Sequence, residues 1–173
     1  AHAANGNRRS EGVARSNFAS LLADRGRCSE AESQLRPALE IHRQSGNRRF
    51  EAYALATLGD VQRDTGRLDA ARESYSGALG IMRAIGDMPG EGVVLMQLGI
   101  LLQRAGGDAE KMLRNALAIH RKVEARREEA VSLAHLATAL GDAGMLRQAL
   151  TIHDEVGNRL GRGTALLELA LLR

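Results

Sequence analysis

The sequence predicts an all-α chain of stacked antiparallel helical hairpins, and three observations predict it. Gly6, Gly46, Gly86 and Gly157 open near-copies of one motif, GNRRSEG, GNRRFEA, GDMPGEG and GNRLGRG. A second column, Gly26, Gly66, Gly106 and Gly144, falls between them, and the first two intervals of the repeat are 40 residues. Between the glycines, apolar residues recur at helical spacing and no stretch sustains a period-two alternation. A fixed period of this size marks supersecondary units that cannot bury their apolar faces alone and must stack.

The second unit justifies the elements one by one. Asn47 stands at an N-cap position, Leu55, Leu58 and Val61 share a face with small Gly59, and Gly66 supplies a left-handed stop. Asp69 is placed to cap the second helix, whose inward face carries Ala71, Tyr75, Ala78 and Leu79. Extended along the chain, this reading starts helices near Asn7, Ser29, Asn47, Asp69, Asp87, Asp108, Arg126, Leu146 and Asn158. The result is one repeat domain with units 6–45, 46–85, 86–123 and 124–156 and an unpaired half unit 157–173. Unit four breaks the pattern: GMLRQA aligns with GRLDAA, the next GNR arrives seven residues early, and Arg147 stands where Ser29, Asp69 and Asp108 cap. It is expected to be the least regular and least stable part of the stack.

The paired columns resemble the tetratricopeptide repeat, in which Leu-Gly in helix A is followed by Ala, an aromatic and Ala in helix B. Here they are Leu58-Gly59, Ala71, Tyr75 and Ala78, then Phe18-Ala19, Ala31, Leu35 and Ala38, and Leu98-Gly99, Ala109, Leu113 and Ala116. Leu136-Ala137 with Ala149, and Leu169-Ala170, continue them. The 40-residue period is similar to that of kinesin light chains, Pins-type adaptors and bacterial STAND and antibiotic-regulator sensor arrays. The resemblance implies a right-handed α-solenoid whose first helices line a concave groove that binds a peptide or protein segment.

Composition narrows the function further. The 24 basic residues are interspersed with 21 acidic ones, which leaves +3 and no basic block for nucleic acid. Only Lys111 and Lys122 are lysines, and the Arg-, Ala-, Gly- and Leu-rich usage suggests a bacterial source. The lone Cys28 allows neither an internal disulfide nor a cysteine metal site. No apolar run reaches the length of a membrane span and no signal peptide opens the chain, so a cytoplasmic location is expected. A chain that lacks an initiator Met and stops inside a helical pattern is expected to be a piece of a larger regulator.

No residue pattern points to catalysis or to a cofactor. His42, His120 and His153 share a column, but equivalent positions in stacked hairpins stand roughly 15–20 Å apart, too far to share a metal. They are expected on the helix-B surface or at a unit junction. The glycines of Gly157–Gly163 follow a helix, not a strand, and lack a Gly-Lys-Ser/Thr ending, so they make a repeat junction and not a phosphate loop.

The candidate site is therefore the groove. Asn17, Thr57, Gln97, His135 and Glu168 directly precede the core Leu or Phe of each first helix, and in related adaptors an Asn in this column holds a peptide backbone. Neighbouring columns add Ser16, Ser20, Tyr53, Asp60, Arg104 and Thr138, and an apolar stripe of Val93, Met96 and Ile100 suits a ligand anchor. Two alternatives stand beside this: receipt of a small signalling peptide, and self-association through Leu166, Leu169 and Leu172 of the unpaired last helix.

Overall fold

The computed structural model describes residues 2–172, with side chains from residue 7 onward. Arg173, the end of the expected half unit, lies outside them. Among the described residues are nine helices and no strand: α1 (His2–Asp24), α2 (Cys28–Gln44), α3 (Arg48–Asp64), α4 (Leu68–Ile85), α5 (Met88–Arg104), α6 (Glu110–Lys122), α7 (Arg126–Leu140), α8 (Ala143–Glu155) and α9 (Arg159–Leu171). They form two compact units, residues 1–90 and 91–173. In the first, α1 packs on α2, α3 on α4, and α1 and α2 on α3; in the second, α7 packs on α6 and α8, and α9 on α8 and α7.

Glycine sets the turns. Gly26, Gly46, Gly66, Gly86, Gly106, Gly141 and Gly157 all take φ between 63° and 79°, a conformation that a Cβ penalises. The amide of the next residue then reaches back five positions, as in Asn47 N to His42 O, Asp142 N to Ala137 O and Asn158 N to His153 O, each 2.9 Å. This Schellman closure satisfies the carbonyls at the end of one helix as the next begins. Glu124 makes the same turn at φ 55° without being glycine.

Side-chain caps contribute less than the sequence suggests. Neither α3 nor α4 receives a cap bond; Arg67, not Asp69, is the N-cap of α4, and Asp69 falls within its first turn. Asn7 is no helix start, because α1 already runs from His2.

The cores follow the columns. A Cβ on Gly59 would stand 2.6 Å from the Tyr75 ring, and one on Gly99 2.6 Å from Leu113 Cγ, so small residues in helix A let helix B approach. Ala19 and Ala137 fill the same column and are fully buried, as are Leu35, Tyr75, Leu113 and Leu146 opposite them. Burial of each such large side chain contributes about 1.5–3 kcal/mol. Phe18, expected in the core, is 51% exposed, whereas its equivalent Leu98 is 7% exposed.

Unit four corrects the sequence reading most. Its left-handed glycine is Gly141, and Gly144 sits inside α8. The steps from Glu124 to Gly141 and from Gly141 to Gly157 are 17 and 16 residues, against 20 and 20 from Gly46 through Gly66 to Gly86. Each helix has lost about one turn at the loop end, which keeps every face in phase. Ala149 therefore occupies the column of Ala38, Ala78 and Ala116. Asp142 caps α8, its Oδ1 accepting from Met145 N at 3.0 Å, so the missing cap inferred at Arg147 is supplied three residues before Met145. Both helices of this hairpin are regular.

Candidate functional site: the A-helix face and its junctions

Within each unit two first helices lie side by side, α1 with α3 and α7 with α9, and each pair holds a cavity at repeat-equivalent columns. In the first unit, a cavity of about 490 Å³ between α1 and α3 is lined by Arg9, Val13, Asn17, Asn47 and Phe50, among others. In the second, a cavity of about 350 Å³ is lined by Arg127, Val131, His135, Asn158 and Gly161 at the same columns. Met96 of α5, Ala134 and Thr138 of α7, and Leu160, Thr164 and Glu168 of α9 complete its walls, with Glu128 beside Arg127. His153 of α8 also lines it.

The histidine column departs from expectation: His42, His120 and His153 are 0–1% exposed and are core residues. Two are held by serines of first helices, His42 Nε2 with Ser16 Oγ at 3.0 Å and His120 Nδ1 with Ser132 Oγ at 2.9 Å. Gly12 and Gly92 make room, since a Cβ there would stand 3.0 Å from His42 Cε1 and 2.8 Å from His120 Cδ2. Gly161 does the same for His153. Burial lowers the pKa of all three imidazoles, His120 against the opposing pull of Glu128 and Glu129 and His42 against that of Glu51. They are neutral at neutral pH. His42 Nδ1, His120 Nε2 and His153 Nδ1 are buried without a hydrogen-bond partner.

Beside each histidine an ion pair closes the junction to the next hairpin. Glu51, 4% exposed, accepts from Arg43 Nε at 3.1 Å and Arg48 Nη1 at 2.6 Å. Glu129, 6% exposed, accepts from Arg121 Nε at 3.0 Å and Arg126 Nη1 at 2.7 Å. At the last junction the polarity is reversed, with Asp154 Oδ1 2.7 Å from Arg162 Nε.

The residues singled out from sequence distribute unevenly. Asn17 and Ser20 are exposed on α1. Tyr53, 42% exposed, donates to Asp87 Oδ2 at 3.1 Å, and Asp87 Oδ1 accepts from Gly90 N near the start of α5. Thr57 and Thr138 bond back to Tyr53 O and Ala134 O within their own helices. Asp60 turns into the hairpin: it accepts from the Tyr75 hydroxyl at 2.7 Å and pairs with Arg63 at 3.3 Å. Burial raises the pKa of Asp60, and burial together with the Asp60 charge raises that of Tyr75. Met96 is 8% exposed, while Val93, Gln97 and Ile100 are half-buried and Arg104 is exposed. His135 is tied to α5, its Nδ1 3.2 Å from Gln103 Oε1 while Gln103 Nε2 donates to His135 O at 2.7 Å. The second cavity thus brings Met96, His135, Thr138 and Glu168 together.

On α9, Ala165 is fully buried and Leu169 packs on the core of the second unit, but Leu166 and Leu172 are 41% and 37% exposed. Sequence reasoning missed Phe50, Asn158, Gly161 and Thr164. The signal was the repeat alignment itself, which places Phe50 and Gly161 in one column.

Among the described residues no group of three His, Cys, Asp or Glu side chains could hold a metal ion. No helix among them is long and apolar enough to cross a membrane. The face offers recesses and hydrogen-bonding groups, the equipment of binding. A family model described as tetratricopeptide repeat matches residues 10–84, from within α1 to near the end of α4. No curated protein matches the chain. Tetratricopeptide repeats generally mediate protein–protein interactions as non-catalytic scaffolds, and the match over the first two hairpins supports that family for this chain.

Proposed function

We propose that this chain is a non-catalytic interaction module that receives an extended peptide or protein segment along its A-helix face. In this reading it is the docking or sensor part of a larger bacterial regulator in the cytoplasm, and a signalling peptide is one form the segment can take. The observation that carries it is the pair of repeat-equivalent cavities, one around Asn17 and Asn47 and one around His135 and Asn158. Each recess lies between two neighbouring first helices of its own unit, and a groove of that kind suits an extended segment. The test is selection of displayed peptides on the full chain, followed by Asn17→Arg and Thr138→Arg. Each is expected to weaken the selected peptides by about tenfold or more. Glu73→Arg and Gln148→Arg, on second helices, are expected to have no effect. Peptides that ignore the first pair and respond to the second refute the proposal.

Self-association is favoured by a separate observation. Leu95 and Leu133, the equivalents of Leu166, are each 1% exposed, and Leu101, the equivalent of Leu172, is 3% exposed. The Leu166 column is covered on α5 and α7 and open on α9. Light scattering should find an oligomer that Leu166→Glu dissolves, and a strictly monomeric wild type refutes this reading.

A further inference from the structure

The two cavities differ in charge. The walls of the first hold Arg9 and no carboxylate, whereas those of the second hold Arg127, Glu128 and Glu168. Glu168 departs from its column, since its repeat equivalents Asn17, Thr57, Gln97 and His135 are not acidic. It is half-buried, and its carboxylate has no ion pair or hydrogen bond among the described residues, while Glu51 and Glu129 each hold two arginines. Arg127 stands at the other end of the cavity with Glu128 beside it. It precedes His135, the α7 equivalent of Glu168, by eight residues, or about 12 Å of helix. Two hydroxyls extend the acceptor character of the Glu168 end. Thr138 Oγ1 donates to Ala134 O at 3.0 Å and Thr164 Oγ1 to Leu160 O at 3.2 Å, so each has spent its proton on its own helix and has only lone pairs left. Thr164 and Glu168 are i, i+4 neighbours on α9, and Thr138 lines the same cavity from α7. These three side chains can accept hydrogen bonds from a ligand and donate none.

We infer that the cavity between α7 and α9 receives a basic side chain of the bound segment, with its aliphatic stem along Met96, Val131 and Leu160 and its cation against Glu168. The inference rests on the reading of the A-helix face as a peptide site and names the residue type that the second cavity selects. Lysine and arginine join the two properties that this cavity asks for, a long apolar stem and a charged head that only donates. The cavity, about 350 Å³, has the size of a small ligand site, and its apolar walls match the stem. Hydrogen bonds from a cation to a carboxylate are about twice as strong as neutral ones, and Glu168 has no arginine of this chain to displace. An acidic side chain in the same place would meet a like charge, and an apolar one would leave the three acceptors without donors.

The experiment uses the full chain and small blocked amino acids, read by NMR on the methyls of Thr138, Thr164 and Val131. N-acetyl-lysinamide or N-acetyl-argininamide is expected to shift them with a Kd of about 10 mM or below. N-acetyl-norleucinamide, which has an aliphatic stem and no charge, should bind about tenfold more weakly, the share of a charge-assisted bond. Glu168→Gln keeps the shape of the side chain and should weaken the basic probe about tenfold, and Thr164→Val should weaken it about threefold. Glu73→Gln, on a second helix, removes the same net charge and should change nothing. Absence of a shift with both basic probes, an equal response to norleucinamide, or a response that persists in Glu168→Gln overturns the inference, as does an equal loss in Glu73→Gln. Selected peptides that are weakened by Asn17→Arg and Thr138→Arg yet ignore Glu168→Gln overturn this inference alone and leave the peptide-binding reading standing. Peptides that respond to neither arginine variant, with a basic probe still shifting the threonine methyls in a Glu168-dependent way, do the reverse.

Discussion

Removing the charge from Glu129 is expected to loosen the junction between α6 and α7 by about 1–2 kcal/mol, and the structure sets that figure. The carboxylate is 6% exposed and accepts charge-assisted bonds from Arg121 at 3.0 Å and Arg126 at 2.7 Å. Two such bonds at about 1.5–3 kcal/mol each give an upper bound. The guanidinium side chains are 54% and 47% exposed, however, and solvated partners bring the gain down toward the 0–1 kcal/mol of surface pairs. Glu129→Gln keeps the shape and loses the charge. Asp154→Asn is the natural comparison, since its pair with Arg162 holds the last junction with side chains 60% and 49% exposed. That change should cost less than about 0.5 kcal/mol. Urea unfolding of the full chain, followed at 222 nm, measures both. The comparison also has a pH signature. Burial pushes the pKa of Glu129 up, but the hydrogen bonds from Arg121 and Arg126 prevail and hold it below the usual carboxylate range. A carboxyl lowered in the fold contributes stability above its unfolded pKa and loses it as pH falls through the folded value. The gap between wild type and Glu129→Gln should therefore be full at neutral pH and shrink as pH falls below the ordinary glutamate range. If Asp154→Asn proves as costly as Glu129→Gln, or the gap does not depend on pH, the buried carboxylate is not what holds the junction.

Four further outcomes follow from the same geometry. Asp142→Ala should destabilise by about 1 kcal/mol through loss of the α8 cap, whereas Arg147→Asp should change stability little, both read by thermal unfolding. Glu124→Gly should stabilise by about 1 kcal/mol by relieving a left-handed non-glycine residue, and an unchanged midpoint would show that this turn carries no strain. Gly59→Ala should cost about 1–3 kcal/mol because its methyl meets Tyr75, while Gly80→Ala, with open space around it, should gain about 0.5–1 kcal/mol. The histidines, with pKa values lowered by burial, should make stability fall as pH drops through the unfolded histidine range, since the unfolded chain takes up protons there first. His153→Met, the residue type that Met82 supplies in the same column, should flatten part of that slope.

The sequence by itself determined the hairpin stack, because period, glycine turns and apolar spacing are local signals that repeat and reinforce one another. The resemblance set Leu58-Gly59 and Tyr75, and Leu98-Gly99 and Leu113, in paired columns, and in the structure Gly59 meets Tyr75 and Gly99 meets Leu113. The sequence failed where one signal served two residues. Gly144 and Gly141 both look like stops, and only the closed turn, with the Asp142 amide bonded to Ala137 O, decides between them. It also misjudged side chains whose burial depends on three helices at once. His42 was expected at a surface or junction and Met96 in a wet groove, yet Gly12, Ser16 and Phe50 enclose the first, and the second is buried. Asp60 followed the groove columns in sequence and turned inward to the Tyr75 hydroxyl. Repetition fixes the backbone, but which side chain occupies the space between neighbouring helices is settled by volume and hydrogen bonding in three dimensions. That is why the exchange of Phe50 for Gly161 leaves the hairpins alike and makes the two cavities different.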